Sequence, residues 1–220
     1  MPELTKKTFS YRLFRFVFGI FFRVWFRLKV FHRERVPRTG GVILASNHVC
    51  YFDPVFVVSS LERMVVGLTR ESAFKFPING FLLRSWRMIP VDQSGSGRGL
   101  KTFLSRLRGG DAVIMYPEGT RSPTGQIQAP QPGIGFIIIK SEEPVIPIKI
   151  FGAYEAYGRH IWVPRPYEVQ IKFGEPLDFA ELRAEAKQTK NKERLKEIYI
   201  KAATDLLHTI AQIEPGQDQN

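Results

Sequence analysis

The sequence contains very little cysteine: Cys50 is the only one among 220 residues. A single thiol excludes a disulfide within the chain. The four histidines, His32, His48, His160 and His208, lie far apart and lack the spacing of metal ligands. We therefore expect no structural zinc site, and no other feature of the sequence requires a metal.

The sequence also lacks a hydrophobic run long enough to span a membrane. Within the first 35 residues, the longest stretch without a charged residue is 16–22, far short of the roughly 20 apolar residues that a spanning helix needs. This run ends at Arg23 and is not followed by a small-residue cleavage site, which argues against a signal peptide. We therefore expect the protein to be inside the cell.

Arginines collect on one side of a helical projection of the same N-terminal segment. That side carries Arg12, Arg15, Arg23 and Arg27, and the wide remaining arc is rich in phenylalanine and aliphatic residues. A basic, aromatic amphipathic helix suits the surface of an anionic leaflet, so we predict a peripheral or monotopic protein on the cytoplasmic face of the cell membrane. The alternative is a helix that packs its apolar face against its own domain.

Positive charge is in excess over the whole chain, with a formal net charge of +11. Such an excess favours a polyanionic partner, namely nucleic acid, an anionic membrane or a phosphorylated substrate. The basic residues are spread over the N-terminal segment and the strand ends without a recognisable nucleic-acid-binding motif, so we expect no nucleic acid partner. The content of 44% hydrophobic and 24% charged residues is ordinary for a globular domain.

Beyond residue 41, short apolar runs alternate with helical stretches. This alternation predicts the α/β class, with a mostly parallel sheet flanked by helices, behind an N-terminal amphipathic membrane-associating helical arm. We predict a basic membrane-binding helix at 1–35, one α/β domain at 36–213 and a disordered tail at 214–220. The predicted strands are 42–45, 64–68, 87–91, 112–116, 145–150 and 168–173. The predicted helices are 54–61, 97–107, 133–140 and 179–213, and the segment 77–86 is predicted to be a short helix or a loop.

A histidine and an aspartate flank the first strand-to-helix turn of this pattern. His48 follows the apolar run 42–45, and Asp53 precedes Pro54, a common way for a helix to begin. At such a turn the carboxylate can reach back to an imidazole nitrogen. A neutral imidazole then accepts a hydroxyl proton while the carboxylate holds its tautomer, as acyl-transfer chemistry requires. The alternative is a histidine that only forms hydrogen bonds within a loop.

A second polar motif begins at the end of the predicted strand at 112–116 and reads Tyr-Pro-Glu-Gly-Thr-Arg-Ser over residues 116–122. Gly119 allows a tight turn whose amides can face an anion, and Thr120 offers a hydroxyl. Arg121 supplies a planar fork suited to a phosphate. The motif therefore predicts a phosphate cradle, with an ordinary surface turn as the alternative.

Together these motifs resemble the glycerolipid acyltransferase family, typified by 1-acylglycerol-3-phosphate (lysophosphatidic acid) acyltransferase. The resemblance covers residues 35–175 and rests on four blocks in the order that the family has. The first and third blocks are specific, and their joint occurrence is strong evidence where each alone is weak. The blocks are Asn47-His48 to Asp53, Arg70 to Val91, Tyr116 to Ser122, and Val145 to Ile148.

The resemblance implies a role for each residue that matches the family pattern. His48 would be the general base that deprotonates the free hydroxyl of a lysophospholipid, and Asp53 would be its orienting partner. Arg121 would contact the phosphate of this acceptor. The resemblance further implies acceptor contacts for Glu118, Gly119 and Thr120, additional positive charge from Arg70 and Lys75, and a wall of the acyl-donor pocket at Pro147.

The implied reaction moves a fatty acyl group from acyl-CoA or acyl carrier protein to the sn-2 hydroxyl of lysophosphatidic acid. It yields phosphatidic acid, a step of phospholipid biosynthesis. A thioester is already activated, so we expect no metal and no cofactor beyond this co-substrate. A rival mechanism would form an acyl-enzyme on Cys50, two residues from His48.

One departure from the family pattern leaves the acceptor open. The second block usually ends in Asp followed by Arg, whereas Asp92 is followed here by Gln93. Another lysophospholipid, a lyso-aminolipid or glycerol phosphate therefore remains an alternative acceptor. Outside enzymes, the alternative is a basic peripheral membrane-binding protein, against which the complete set of motif residues argues.

Overall fold

Seven β-strands form one sheet within residues 9–86, 88–91 and 98–217, which the computed structural model describes. In chain order they are β1 (Lys29–Phe31), β2 (Val42–Ser46), β3 (Val65–Arg70), β4 (Ile89–Val91), β5 (Ala112–Met115), β6 (Val145–Phe151) and β7 (Gln170–Phe173). Their order across the sheet is β1-β7-β6-β2-β5-β3-β4. Strands β2 to β6 run parallel, β7 is antiparallel to β6, and β1 is parallel to β7. The carboxyl ends of β2 to β6 therefore share one edge of the sheet.

Helices cover both faces of this sheet. Among the described residues they are α1 (Phe9–Trp25), α2 (Asp53–Ser60), α3 (Pro77–Ser85), α4 (Arg98–Arg108), α5 (Pro132–Ser141), α6 (Ala153–Tyr157), α7 (Ala180–Gln188) and α8 (Lys192–Gln212). Val42 and Leu44 of β2 pack with residues of α1, α2 and α6, whereas Ile43 and Ala45 pack with residues of α4, α5, α7 and α8. A strand that is buried on both faces has a continuous apolar sequence, which is the pattern that β2 shows.

The predicted α/β class with a mostly parallel sheet is confirmed by this topology. The strands predicted at 42–45, 112–116 and 145–150 agree with β2, β5 and β6 to within one residue at each end. Strand β1, of 3 residues, and helix α6, of 5 residues, were not predicted. Elements this short do not develop a hydrophobic period that a sequence pattern can show.

The segment predicted as one helix at 179–213 is divided into α7 and α8. The division has a local cause, because the side-chain oxygen of Asn191 accepts the N–H groups of Glu193 at 2.8 Å and Arg194 at 3.1 Å. An asparagine in this position caps a new helix.

The N-terminal segment contributes both a helix and a strand to the fold. Phe22 of α1 is fully buried, and its ring centroid lies 4.5 Å from that of Phe56 in α2. Strand β1 pairs with β7, so residues 29–31 belong to the sheet although they fall inside the arm predicted at 1–35. None of the helices in the described residues is long and apolar enough to cross a membrane.

The outward face of α1 exposes large apolar side chains. Tyr11 and Phe22 are buried against the domain, and Arg15 donates to the carbonyl of Leu61 at 2.8 Å. One face of the helix thus packs on its own domain, as the alternative interpretation proposes. Membrane binding by the other face stays a prediction; its exposed apolar residues are Leu13, Phe16, Val17, Ile20, Phe21, Val24 and Trp25.

The C-terminal tail contacts the sheet through Gly216. The N–H of Gly216 donates to the side-chain oxygen of Gln170 in β7 at 3.1 Å. Residue 216 is therefore held against the sheet although it falls in the predicted disordered tail at 214–220. Residues 218–220 lie outside the described part of the chain.

Candidate active site

The loops that follow β2 and β5 form the candidate site at one edge of the sheet. These strands are parallel neighbours, so the residues after Ser46 and Met115 leave the sheet side by side. The two loops are tied directly, because the N–H of Ser122 donates to the carbonyl of His48 at 2.7 Å. The two motifs singled out in the sequence are thus parts of one site.

Asp53 orients the imidazole of His48. Its Oδ2 atom lies 2.8 Å from Nδ1 of His48 and also accepts the backbone N–H groups of Val49 at 2.7 Å and Cys50 at 2.8 Å. Asp53 is fully buried as the first residue of α2. A carboxylate beside Nδ1 keeps the proton on that nitrogen and leaves Nε2 as the acceptor. The structure therefore brings together the pair that the sequence predicts.

The ring of Tyr116 stacks on the imidazole of His48. The two ring centroids are 4.0 Å apart, and the ring planes are inclined by 22°. The hydroxyl of Tyr116 is buried without a hydrogen-bond partner among the described residues. Burial raises the pKa of this phenol well above its ordinary value, and the nearby Asp53 and Cys50 raise it further. Tyr116 is therefore a neutral side chain that restricts the movement of the imidazole.

Glu118 is buried beside His48 and holds its backbone. One carboxylate oxygen accepts the N–H of His48 at 2.9 Å, and the other accepts the N–H of Gln128 at 3.2 Å. Burial raises the pKa of the Glu118 carboxyl, although the hydrogen bonds from His48 and Gln128 act in the opposite direction. The carboxylate of Glu118 thus bonds the loop that carries His48 and the segment around Gln128, and the contact with the acceptor that the family resemblance implies stays a prediction.

Arg121 brings a cation to the site. Its guanidinium carbon lies 3.4 Å from the centroid of the Tyr51 ring, which is a cation–π contact. Its Nη1 atom is buried and has no hydrogen-bond partner within the described residues. A buried donor without a partner costs free energy, so this nitrogen is suited to an anionic oxygen.

The turn in the same loop requires glycine. Gly119 has a φ of +69°, and a Cβ atom at this position would lie 2.6 Å from Cγ of Gln131. Thr120 is exposed, so its hydroxyl is accessible to a ligand. Both residues lie in the loop that carries Arg121, as a phosphate cradle requires.

The remaining predicted site residues are spread along the sheet. Arg70 is the last residue of β3, the neighbour of β5, and Lys75 ends the short 3₁₀ helix that follows. The backbone of Arg70 therefore ends β3 at the edge that carries His48, and Lys75 follows one short helix later. Pro147 is buried within β6, opposite Ala45 of β2, and its contact with an acyl chain stays a prediction. Gln93 lies outside the described residues.

Two further residues position the site without any local signal in the sequence. The side chain of Asn47 joins the end of β2 to β6, because it donates to the carbonyl of Ile150 at 3.0 Å and accepts the N–H of Ile150 at 2.8 Å. Tyr51 supplies the ring on which Arg121 lies. The partners are distant along the chain, so only paired changes among related sequences could have indicated these contacts.

A cleft of about 900 Å³ lies at the opposite edge of the sheet from His48. Its lining includes Gly40, Met64 and Asp111, which precede β2, β3 and β5. The guanidinium of Arg63 donates to the carbonyls of Gly40 at 2.7 Å and Gly110 at 3.0 Å. The polar groups in this cleft thus hold loops together, and we do not include the cleft in the site.

Cys50 is a poor candidate for a nucleophile. It is fully buried, and burial raises the pKa of its thiol, as does the neighbouring carboxylate of Asp53. The thiolate is the reactive form of cysteine, so both effects suppress reactivity. The geometry therefore favours direct attack by the acceptor over an acyl-enzyme on Cys50.

Comparison with known proteins assigns the chain to a family. The family model for acyltransferases matches residues 27–151, more than half of the chain. This chain belongs to the acyltransferase family. The family that the motifs around His48 and Arg121 indicate is thereby confirmed.

Several curated relatives are named 1-acyl-sn-glycerol-3-phosphate acyltransferase. The protein from Pseudomonas aeruginosa is 27% identical over 215 residues, which cover 96% of this chain and 77% of the relative. The protein from Bacillus subtilis is 26% identical over 160 residues, 70% of this chain and 77% of the relative. The protein from Limnanthes alba is 25% identical over 140 residues, 62% of this chain and 50% of the relative. The match thus spans about half the length of the plant relative.

A solved structure shares the fold of this acyltransferase. The crystal structure of the 1-acyl-sn-glycerophosphate (LPA) acyltransferase PlsC from Thermotoga maritima matches with a TM-score of 0.69. The identity is 22%, and the match covers 94% of this chain and 81% of that chain. The likeness supports the α/β architecture with its mostly parallel sheet.

We expect Cys50 to resist alkylation in the folded protein. Iodoacetamide at about pH 8 should leave the folded chain unmodified, because burial suppresses both access and the thiolate form, and should modify it fully after unfolding in guanidinium chloride. Intact mass measures the adduct. Rapid alkylation of the folded chain would show the accessible, ionised thiol that an acyl-enzyme mechanism needs.

Proposed function

We propose that this acyltransferase moves a fatty acyl group from acyl-CoA or acyl carrier protein to the free sn-2 hydroxyl of 1-acylglycerol-3-phosphate. The products are phosphatidic acid and the free thiol of the donor. One observation carries the proposal. The buried carboxylate of Asp53 holds the imidazole of His48, and the neighbouring loop carries Arg121, whose Nη1 atom is buried without a partner among the described residues. The names of the relatives support this choice of acceptor.

His48 acts as the general base in this proposal. Its Nδ1–H donates to Asp53, so Nε2 accepts the proton of the acceptor hydroxyl as that oxygen attacks the thioester carbonyl. Collapse of the tetrahedral intermediate forms the ester and breaks the C–S bond, and the imidazolium returns the proton to the leaving sulfur. Asp53 stabilises the imidazolium in the meantime. Because the thioester is already activated, the reaction needs no metal or prosthetic group.

Arg121 binds the phosphate of the acceptor. The oxygens of a phosphate monoester match the planar N–H fork of a guanidinium, and the ring of Tyr51 holds the plane of that fork. Thr120 adds an exposed hydroxyl in the same loop. Lys75, which follows the end of the neighbouring strand, adds positive charge at the same edge, and the resemblance to the family assigns the same role to Arg70.

Glu118 acts through His48 and not on the acceptor. A carboxylate beside the phosphate would repel it, and the N–H groups of His48 and Gln128 already use both oxygens of Glu118. Glu118 therefore has a positioning role: it fixes the backbone from which the imidazole projects.

The exposed face of α1 supports a location at the membrane surface. Phe16 is 66% exposed and Val24 is 75% exposed, and Arg12 and Arg23 are exposed on the same helix. Burial of these apolar side chains in the interface of an anionic leaflet removes them from water. We therefore infer a peripheral or monotopic protein on the cytoplasmic leaflet, which holds the acyl chain of the acceptor.

Replacement of His48 should abolish acyl transfer. Thiol release from palmitoyl-CoA by the purified protein on vesicles should require 1-acylglycerol-3-phosphate, and mass spectrometry should identify phosphatidic acid. Loss of the general base in His48→Ala should lower the rate about a thousandfold. His208→Ala, at an exposed histidine of α8, is the matched control and should leave the rate unchanged.

Other donors and acceptors decide what a negative result means. A carrier-protein thioester, another lysophospholipid, a lyso-aminolipid and glycerol phosphate are tested in turn. Turnover with one of these acceptors would show that it is the acceptor in place of 1-acylglycerol-3-phosphate, and acyl transfer would remain the reaction. If the folded protein shows no turnover with any combination of donor and acceptor, the proposed enzymatic function is excluded and a basic membrane-binding protein is favoured.

Arg121→Gln should weaken acceptor binding more than it slows the chemical step. Loss of a charge-assisted contact to phosphate should raise KM for 1-acylglycerol-3-phosphate about tenfold or more. Arg38→Gln makes the same charge change at the opposite edge of the sheet and serves as the control. An unchanged KM with a lower kcat would contradict the assignment of Arg121 to the phosphate.

Glu118→Gln and Glu118→Ala should have different effects on kcat. Glutamine keeps an oxygen that accepts the N–H of His48, whereas alanine leaves this buried donor unpaired. We expect kcat to fall about ten- to a hundredfold in Glu118→Ala and much less in Glu118→Gln, with KM for the acceptor unchanged in both. A clear rise of this KM in Glu118→Gln would instead indicate direct contact with the acceptor.

A further inference from the structure

The loop between α6 and β7 has an exposed apolar tip that the proposed chemistry does not use. Trp162 is 95% exposed and Val163 is 72% exposed. The segment 158–167 also contains Arg159 and Arg165, and Glu168, which follows this segment, is paired with Lys29. We refer to this segment as the Trp162 loop.

The Trp162 loop is anchored at its base. The N–H of Arg165 donates to the carbonyl of Ala156 at 2.8 Å, and the N–H of Ile161 donates to the carbonyl of Gly158 at 3.0 Å. The side chain of Ile161 is buried. Trp162 is therefore held out toward solvent by a loop with defined hydrogen bonds and a buried anchor.

The Trp162 loop connects the candidate site with the end of α1. Near its start, the guanidinium of Arg159 donates to the backbone carbonyl of Arg121 at 3.3 Å. Just beyond its end, the N–H of Val169 donates to the carbonyl of Phe26 at 2.9 Å, one residue after α1. The loop therefore adjoins both the phosphate cradle and the helix whose apolar face is exposed.

We propose that the Trp162 loop is a second membrane contact, which places Trp162 and Val163 in the interfacial region of an anionic phospholipid leaflet. Tryptophan favours this region because its ring is apolar and its N–H is polar. Arg159 and Arg165 supply positive charge that is complementary to anionic headgroups. The choice of a lipid surface as the occupant rests on the proposed function and on the continuity of the loop with α1.

A second contact fixes an orientation that α1 alone does not. A domain attached by one interfacial helix can still rotate about the axis of that helix. Contact through the Trp162 loop removes this freedom, because the loop adjoins the edge of the sheet that carries His48. The site then faces the leaflet, so the acceptor's phosphate reaches Arg121 while its acyl chain stays in the lipid.

Vesicle binding in the absence of substrate tests this contact. The full chain is sedimented with vesicles of phosphatidylglycerol and phosphatidylcholine, and Trp162→Ala should lower the partition coefficient about tenfold. Arg165→Gln should lower it about fivefold on these vesicles and should not affect binding to pure phosphatidylcholine. Ile200→Ala, at an exposed apolar residue of α8 on the other face of the sheet, is the matched control. Thermal unfolding midpoints equal to that of the parent confirm that the variants are folded.

Tryptophan quenching gives an independent measurement. Lipids brominated on their acyl chains quench tryptophans that enter the bilayer, so they should quench part of the fluorescence of the parent. Trp162→Phe should remove part of this quenching, because one of the inserted rings is then absent. Equal fractional quenching of parent and variant would overturn the proposal.

Unchanged vesicle binding of Trp162→Ala would also overturn the proposed membrane contact of the Trp162 loop. If that variant binds vesicles as the parent does but loses activity only with a carrier-protein donor, the loop is a contact for the carrier protein and not for lipid. Since vesicle binding is measured without substrate, a complete absence of acyl transfer would remove the proposed function and leave the result for the Trp162 loop intact.

Discussion

The three hydrogen bonds to Oδ2 of Asp53 are the interaction on which the rest of the site depends. This oxygen accepts from the imidazole of His48 and from the backbone N–H groups of Val49 and Cys50. It therefore closes the turn between β2 and α2 and selects the tautomer of the histidine at the same time. The carboxylate lies at the N-terminus of α2, where the helix dipole favours a negative charge. The side chain of Asp53 thus determines both the conformation of the turn and the position of the proton on the imidazole.

The topology of the sheet supplies the second constraint. Strand β5 enters the sheet between β2 and β3, although β3 and β4 precede it in the chain. This insertion places Glu118 and Ser122 against the backbone of His48 and brings Arg121 to the ring of Tyr51. The two loops stabilise each other through these contacts. The imidazole of His48 and the guanidinium of Arg121 are therefore held in fixed positions relative to each other.

Local patterns in the sequence predict the parts of this structure that are local. His48 and Asp53 lie within one turn, and the strands buried on both faces appear as continuous apolar runs, so both could be predicted. The contact of Glu118 with His48 joins residues 70 positions apart and depends on the insertion of β5, which no local pattern encodes. Strand β1 is too short to show a hydrophobic alternation. Asn191 caps α8 within a segment whose apolar residues follow a single helical pattern, so the sequence did not indicate a break there.

The ring of Tyr51 holds the cation of a site that also contains two buried carboxylates. Asp53 and Glu118 would each attract a guanidinium, and pairing with either would leave Arg121 less able to bind an anion. Backbone N–H groups occupy Oδ2 of Asp53 and both oxygens of Glu118, whereas Oδ1 of Asp53 and Nη1 of Arg121 are both buried without a hydrogen-bond partner among the described residues. Arg121 rests on the face of Tyr51, a partner that holds the guanidinium without cancelling its charge. The aromatic ring is therefore part of the anion site together with the cation, because it fixes the guanidinium and leaves the hydrogen-bonding capacity of Nη1 to a ligand.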